Sequence, residues 1–360
     1  MRALHHRRPV PLPGQGAVSA GSALATGRQA EPALAADAVA TALAAAGLTQ
    51  ASGVFLFLSP DFARHAQPAV LAAARAAGCL NIFGMVAYGL MTEAGWSLDQ
   101  PAAAALVVGG GIALAADNGG APRLALAAGT TLPPPWQDGP PRYGLAHGPG
   151  AVWQQARVAA DGRAETGVGG ARCHPLLSTG LQPLGTPQAV EAAQGYDLQR
   201  LGGQRAADSL ARALPPELRE RQPPSLHQVC ALRASGGPAI PLLAAHPDGS
   251  LTLAEPLTEG DRVAWAIRQP LGAERDMAEG LDAATAMPAF ALMFSCLGRG
   301  PLFYGDEDRD LLAFRRRFPG VPLAGAYGSG QIHPWAGANR QFQNSVVTLL
   351  FEEENVQPQP

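Results

Sequence analysis

The chain carries one structural unit twice. Residues 54–59 read VFLFLS and residues 290–295 read FALMFS. Each apolar run ends in serine. A polar loop, a helix-like stretch, a second short apolar run and a Gly-rich turn follow. Placing Gly84 on Gly325 brings Leu71, Ala72, Arg75 and Gly89 onto Leu312, Ala313, Arg316 and Gly330. Strands joined through a helix pair in parallel, because a parallel connection has to cross over. Two copies therefore predict an α/β (mixed α+β) protein. Its expected form is two related strand–helix–strand subdomains with mixed sheets in a pseudo-twofold arrangement. The repeat also marks two related turns as places for a ligand.

The rest of the chain fits around these copies. Residues 34–46 are Ala-rich and favour helix, with Gly47 as a natural stop. Residues 68–77 predict the next helix, stopped at Gly78, and residues 80–83 and 103–108 predict strands. Residues 131–147, dense in Pro and Gly, read as an extended surface loop. Residues 151–158 and 164–168 read as a hairpin-like pair around Asp161-Gly162. Residues 196–201 predict a strand and 204–214 a helix ended by Pro215-Pro216. Residues 228–233, 240–245, 251–257 and 262–267 read as an antiparallel sheet. Helices are expected over 274–284 and 308–318, and a closing strand over 345–351. The domain reading is a disordered arm over 1–30, two halves over 31–170 and 171–352, and a frayed tail over 353–360.

Composition removes several function classes. With 360 residues, two domains are the prior, and a net charge of −3 gives no basic footprint for nucleic acid. The run Arg315-Arg316-Arg317 reads as a solvated helix face. Cys79, Cys173, Cys230 and Cys296 stand far apart, which suits a reducing cytoplasm and gives neither a zinc ribbon nor a disulfide framework. No apolar segment reaches the roughly 18 residues of a membrane span, and no apolar core follows the N-terminal His5-His6-Arg7-Arg8.

Candidate site residues gather after the second strand. Gly298 and Gly300 leave backbone N–H groups open to a ligand, and Arg299 has the fork that clamps a carboxylate. Ser295 and Cys296 precede them, and Cys296 beside Arg299 is a candidate nucleophile with His333 as the nearest base. Tyr327, Ser329, Gln331 and His333 line the second Gly turn, and Tyr88, Thr92 and Glu93 the first. These groups suit recognition of a polar small molecule. No His pair has metal spacing. One axial His suffices for haem, with His65, His147, His174, His227 and His333 available. Gly109-Gly110-Gly111 runs into Asp117-Asn118-Gly119-Gly120, which is loop chemistry and not a dinucleotide fingerprint.

Several stretches together resemble the FIST family (F-box and intracellular signal transduction), with FIST-N and FIST-C halves. They are VFLFLSP followed by NIFGMVAYG, STGLQPLG over 178–185, YDLQRLGGQRAADSL over 196–210, LTEGDRVAWAIRQP over 257–270, FSCLGRG over 294–300 and PLAGAYGSGQIHP over 322–334. The resemblance covers about residues 31 to 352. The family pattern has Gly-Glu-Ile in the final turn and Gly-Cys-x-Pro earlier, where this chain reads Gly330-Gln331-Ile332 and Gly180-Leu181-Gln182-Pro183. The resemblance implies a ligand-sensing module of signal transduction that binds small molecules such as amino acids, with haem in some members. The expectation is a non-catalytic cytoplasmic sensor of the stand-alone type. It acts through a separate signalling protein, without nucleic acid or membrane. A ligand-free interaction scaffold, or a thiol-dependent hydrolase or transferase using Cys296, are the alternatives.

Overall fold

The computed structural model describes residues 19–115, 122–148, 150–219 and 226–354. Residues 1–18 of the expected arm, Asp117 to Gly120, the tail beyond 354 and the side chain of His227 lie outside the described residues.

Two six-stranded sheets carry the repeat, and their strand orders correspond. One runs Ser19–Thr26, Ala102–Gly109, Gly53–Leu58, Ile82–Val86, Val152–Gln154 and Arg157–Val158. The other runs Ala171–Ser178, Val346–Glu353, Phe290–Cys296, Leu323–Gly328, Gly89–Thr92 and Gly95–Ser97. In each, the third and fourth strands are parallel and joined through a helix, Ala66–Ala77 in the first and Arg309–Arg317 in the second. Both central strands are buried along their whole length, which is why they read as unbroken apolar runs.

The sheets pack face to face. Phe55 and Phe57 meet Phe290 and Phe294, with ring centroids 6.3 and 5.9 Å apart. The alternate residues Val54, Leu56 and Leu58 turn outward onto the helices Pro32–Ala46 and Ala66–Ala77. Ala291 and Met293 turn onto Pro270–Asp282 and Arg309–Arg317. The result is four layers, helix–sheet–sheet–helix, around a central apolar core.

Register corrects the serine-to-serine match. Leu56 lies beside Gly84, and Met293 beside Gly325. Leu56 therefore corresponds to Met293, and Ser59 to Cys296, one residue later than the matching serines. The backbone agrees: Ser59 N–H donates to Ala102 O at 3.0 Å, and Cys296 N–H to Ser345 O at 3.0 Å. A one-residue slip exchanges the two faces of a strand, and uniformly apolar runs conceal it. Nor do Gly84 and Gly325 form turns. Both lie inside strands, where a Cβ at Gly325 would stand 2.0 Å from the Met293 carbonyl oxygen.

Four further expectations change. Ser19–Thr26 is a strand paired with Ala102–Gly109 rather than part of an arm. The expected loop over 131–147 contains the strand Arg142–His147, parallel to Arg123–Ala128. Pro140-Pro141 and Gly148 hide its Tyr143/Leu145 alternation. The expected hairpin partners separate: Val152–Gln154 pairs with Ile82–Val86, whereas Arg163–Gly169 pairs with Arg123–Ala128 in a third sheet. That sheet runs Ala338–Phe342, Gly330–Trp335, Arg142–His147, Arg123–Ala128, Arg163–Gly169 and Ala113–Ala115. It takes strands from both expected halves, and Gly89–Thr92 joins the second sheet, so the halves interleave.

The fourth change is a strand missing from the sequence reading, Leu181–Gln194. It pairs with both Arg262–Arg268 and Asp197–Leu201. With Val229–Arg233, Ile240–Ala245 and Leu251–Leu253 it closes the expected antiparallel strands into a small barrel. Pro183, Gly185 and Pro187 argue against a strand by composition. A register shift between Leu184 and Gln188 absorbs Pro187. Helix Ala206–Ala213 seals the barrel core with Ala206 and Leu210, and Trp265 Nε1–H donates to Ser209 Oγ at 3.1 Å. No helix among the described residues is long and apolar enough to cross a membrane.

Candidate functional site

The parallel pairs deliver their C-terminal ends to one seam. Leu58 and Val86 end the first pair, Cys296 and Gly328 the second, Ala128 and His147 the third. Tyr88, just past Val86, donates its N–H to Tyr327 O at 3.1 Å. Ser329, just past Gly328, donates its hydroxyl to Ala146 O at 3.1 Å. Gly129 donates its N–H to His147 O at 3.1 Å. In open α/β sheets the crevice outside the C-terminal strand ends is where ligands bind.

His147 is the distinctive group of the seam. The residue is 8% exposed, and its Nδ1 has no hydrogen-bond partner among the described residues. Burial lowers its pKa and so favours the neutral ring, in which one nitrogen donates and the other accepts. The half-exposed Tyr88 ring stands edge-on to it, with centroids 6.1 Å apart. Around them Gly129 and Gly148 bring their backbones together, and a Cβ on Gly129 would meet no atom within 4 Å.

The residues singled out after the second strand form a different kind of centre. Arg299 is 1% exposed and its donors are spent inside the protein. Nε and Nη2 donate to the two carboxylate oxygens of Asp310 at 3.0 Å each. Nη1 donates to Ser178 O at 2.9 Å, and Nη2 also reaches Ser178 Oγ at 2.6 Å and Ala273 O at 3.0 Å. The guanidinium is a buried tie between Arg309–Arg317, Pro270–Asp282 and Ala171–Ser178. It has no fork left for a ligand carboxylate. Tyr304 adds a hydrogen bond to Asp310 at 3.0 Å. Tyr327 donates its hydroxyl to Asp308, which caps the same helix by accepting from Leu311 N–H at 2.9 Å. Burial raises the pKa of Asp308 to about 6, helped by the neighbouring Asp310 charge. Gly300 is small because a Cβ there would lie 2.8 Å from the Tyr327 ring.

Cys296 is buried, and desolvation raises its thiol pKa despite hydrogen bonds from Gly298 and Asn344 N–H groups. Beside it a void of about 10 Å³, lined by Gly298, Arg299 and Asn344, is at the lower limit for one water. Ser295 is fully buried and bonds its hydroxyl to Cys296 O at 3.4 Å. Gln331 is also fully buried; its carbonyl accepts from Ser345 Oγ at 3.1 Å, and its amide nitrogen has no partner among the described residues. His333 donates Nδ1–H to Pro334 O at 2.7 Å and packs on Tyr143, with centroids 5.1 Å apart. It is therefore bound into the third sheet instead of facing Cys296 as a base. Of the other haem candidates, His65 is exposed and His174 sits 3.1 Å from Glu352. No metal-binding group of His, Cys, Asp and Glu occurs among the described residues.

Of the candidates from sequence, Tyr88 and Ser329 reach the seam and Tyr327 touches it through its carbonyl. Ser295, Cys296, Arg299 and Gly300 sit beneath it or beside it as buried structure. From sequence, His147 stood only as one of five possible haem ligands, at the end of a stretch expected to be loop. The signal was the Tyr143/Leu145/His147 alternation between Pro141 and Gly148.

Residues 206–334 match the FIST C domain. An uncharacterized protein of Mycobacterium bovis, Mb0898c, is 30% identical over 200 residues, 51% of this chain and 52% of its own length. An uncharacterized protein of Mycobacterium tuberculosis, Rv0628c, is 28% identical over 223 residues, 58% of each chain. The chain thus spans about half the length of the curated relatives it matches.

Proposed function

We infer, from a chain that belongs to the FIST family through its C domain, that it acts as a small-molecule-binding sensory module in signal transduction. The reading is non-catalytic. The ligand sits where the strands of the repeated units end, against Tyr88, His147 and Ser329. The observation that carries this is the convergence of three parallel pairs on a buried imidazole whose Nδ1 has no partner among the described residues. An unpaired buried polar atom costs about 1–3 kcal/mol, and a ligand hydrogen bond relieves that cost. Because the seam joins all three sheets, binding favours one arrangement of them, and a separate signalling protein reads the shift. Four free cysteines support a place in the cytoplasm.

A thermal-shift screen tests the reading, with amino acids, small carboxylates and haem offered to the protein and to His147→Ala. The expected result is that at least one compound raises the melting temperature of the parent and has a much smaller effect on the variant. Failure of every compound at near-saturating concentration would count against it.

A further inference from the structure

A second place in the molecule has the construction of a binding site. At the opposite end of Ile82–Val86 from the seam lies a cleft of about 140 Å³. Its lining includes Asn81, Gln154, Gln155, Glu165 and Thr166, with Leu114 on an apolar side. Three carboxamides, a hydroxyl and a carboxylate thus share one small space. Glu165 is neutralised from behind by Arg142, with Arg123 at 3.9 Å, so the cleft presents hydrogen-bonding groups without an uncompensated charge.

One wall is held in a costly conformation. Gln154 pairs with Arg157 across a two-residue turn, and the turn residues Gln155 and Ala156 have φ of 50° and 57°. Such turns favour Asn-Gly, because other side chains resist the left-handed region. Here the turn is clamped from outside. Gln67 donates to Ala156 O at 2.9 Å and accepts from Val158 N–H at 2.9 Å. The clamp holds a long carboxamide, Gln155, at the cleft where the backbone would prefer a shorter residue. Strain held in place by its surroundings is characteristic of functional positions.

We propose that this cleft binds a neutral polyhydroxylated small molecule of about one sugar ring. Asn81 gives one amide hydrogen to Ser52 O, Gln154 Oε1 accepts from Glu165 N–H and Thr166 donates its hydroxyl to Gly167 O; the remaining amide hydrogens and lone pairs, with those of Gln155, mix donors and acceptors as hydroxyl groups do. The Leu114 side receives the C–H face of such a ligand. The volume is well below the roughly 300–1,000 Å³ of sites for drug-sized ligands, which restricts the occupant to a single ring.

Calorimetric titration with D-glucose, D-galactose, D-mannose and myo-inositol tests this, with glutamate and lysine as charged controls. At least one polyol should bind, and neither charged compound should. Gln155→Gly is the decisive variant, because glycine suits the turn. Its melting temperature should equal or exceed the parent's, while polyol affinity falls about fivefold or more, the loss of one hydrogen bond. The proposal is overturned if none of the four polyols binds, or if Gln155→Gly binds as tightly as the parent.

Discussion

The two copies of the strand–helix–strand unit share a backbone and differ in what they bury. Each strand ends in a single helical turn, Pro60–Phe62 in the first and Leu297–Arg299 in the second. Phe62 and Arg299 are each 1% exposed at the end of that turn. In the helices that follow, the buried positions Ala69, Val70, Ala73 and Ala77 correspond to Asp310, Leu311, Phe314 and Phe318. In the next strands Val86 corresponds to Tyr327. Where the first copy buries Phe62, Ala69 and Val86, the second buries Arg299, Asp310 and Tyr327. An apolar solution and an ionic one therefore fill the same frame, and the fold does not require the polar groups. A buried ion pair is often no better than a well-packed apolar replacement, yet breaking it from one side is costly.

The largest difference between the copies lies at the ionic pair Arg299–Asp310. Arg299→Ala leaves Asp310 buried without its cation and should cost about 3–5 kcal/mol in chemical denaturation. Arg299→Met combined with Asp310→Leu imitates the first copy and should recover most of that loss. Phe62→Ala should also cost about 3–5 kcal/mol, as a cavity, with no comparable recovery from a change at Ala69.

The pH response sharpens the contrast next. The folded pKa of Asp308, about 6, lies above its unfolded value. The folded state then binds the extra proton. Its contribution is fully present below the unfolded pKa and is lost as pH rises through about 6. His147 and His333 act in the opposite sense, because burial lowers their pKa and their contribution is lost as pH falls. Comparison with Asp308→Asn isolates the carboxyl, since asparagine keeps the helix cap. The variant's denaturation midpoint should fall less than the parent's between pH 5 and pH 7, a window bracketing about 6.

Smaller effects follow. Tyr327→Phe removes the hydroxyl that Asp308 accepts and should cost about 1–3 kcal/mol, whereas Val86 offers no such bond to remove. Gly47→Ala tests a helix stop in the first copy. A Cβ there meets nothing within 4 Å, but φ is 66°, so the expected cost is only the conformational one, about 1 kcal/mol.

The repeat itself was legible because buried parallel strands are continuous apolar runs, and in the first copy the helices end at Gly47 and Gly78. Both glycines take the left-handed conformation at the helix ends. Its phase was not legible, since VFLFLS and FALMFS carry no alternation to fix which face each residue takes. Arg299 was legible as important and not as structural: its partners Ser178, Ala273 and Asp310 lie 121, 26 and 11 residues away in sequence. The seam depended on Arg142–His147 being a strand. That strand lies between a parallel neighbour and an antiparallel one, so its identity comes from tertiary pairing more than from local propensity.

The most direct test of a ligand at the seam is the ring nitrogen signal of His147, followed by NMR during titration with a compound that raises the melting temperature. His147 Nδ1 should shift as the site fills, while His333, bonded to Pro334 O, stays where it is. A compound that binds and moves His333 while leaving His147 unchanged would contradict a ligand at the seam.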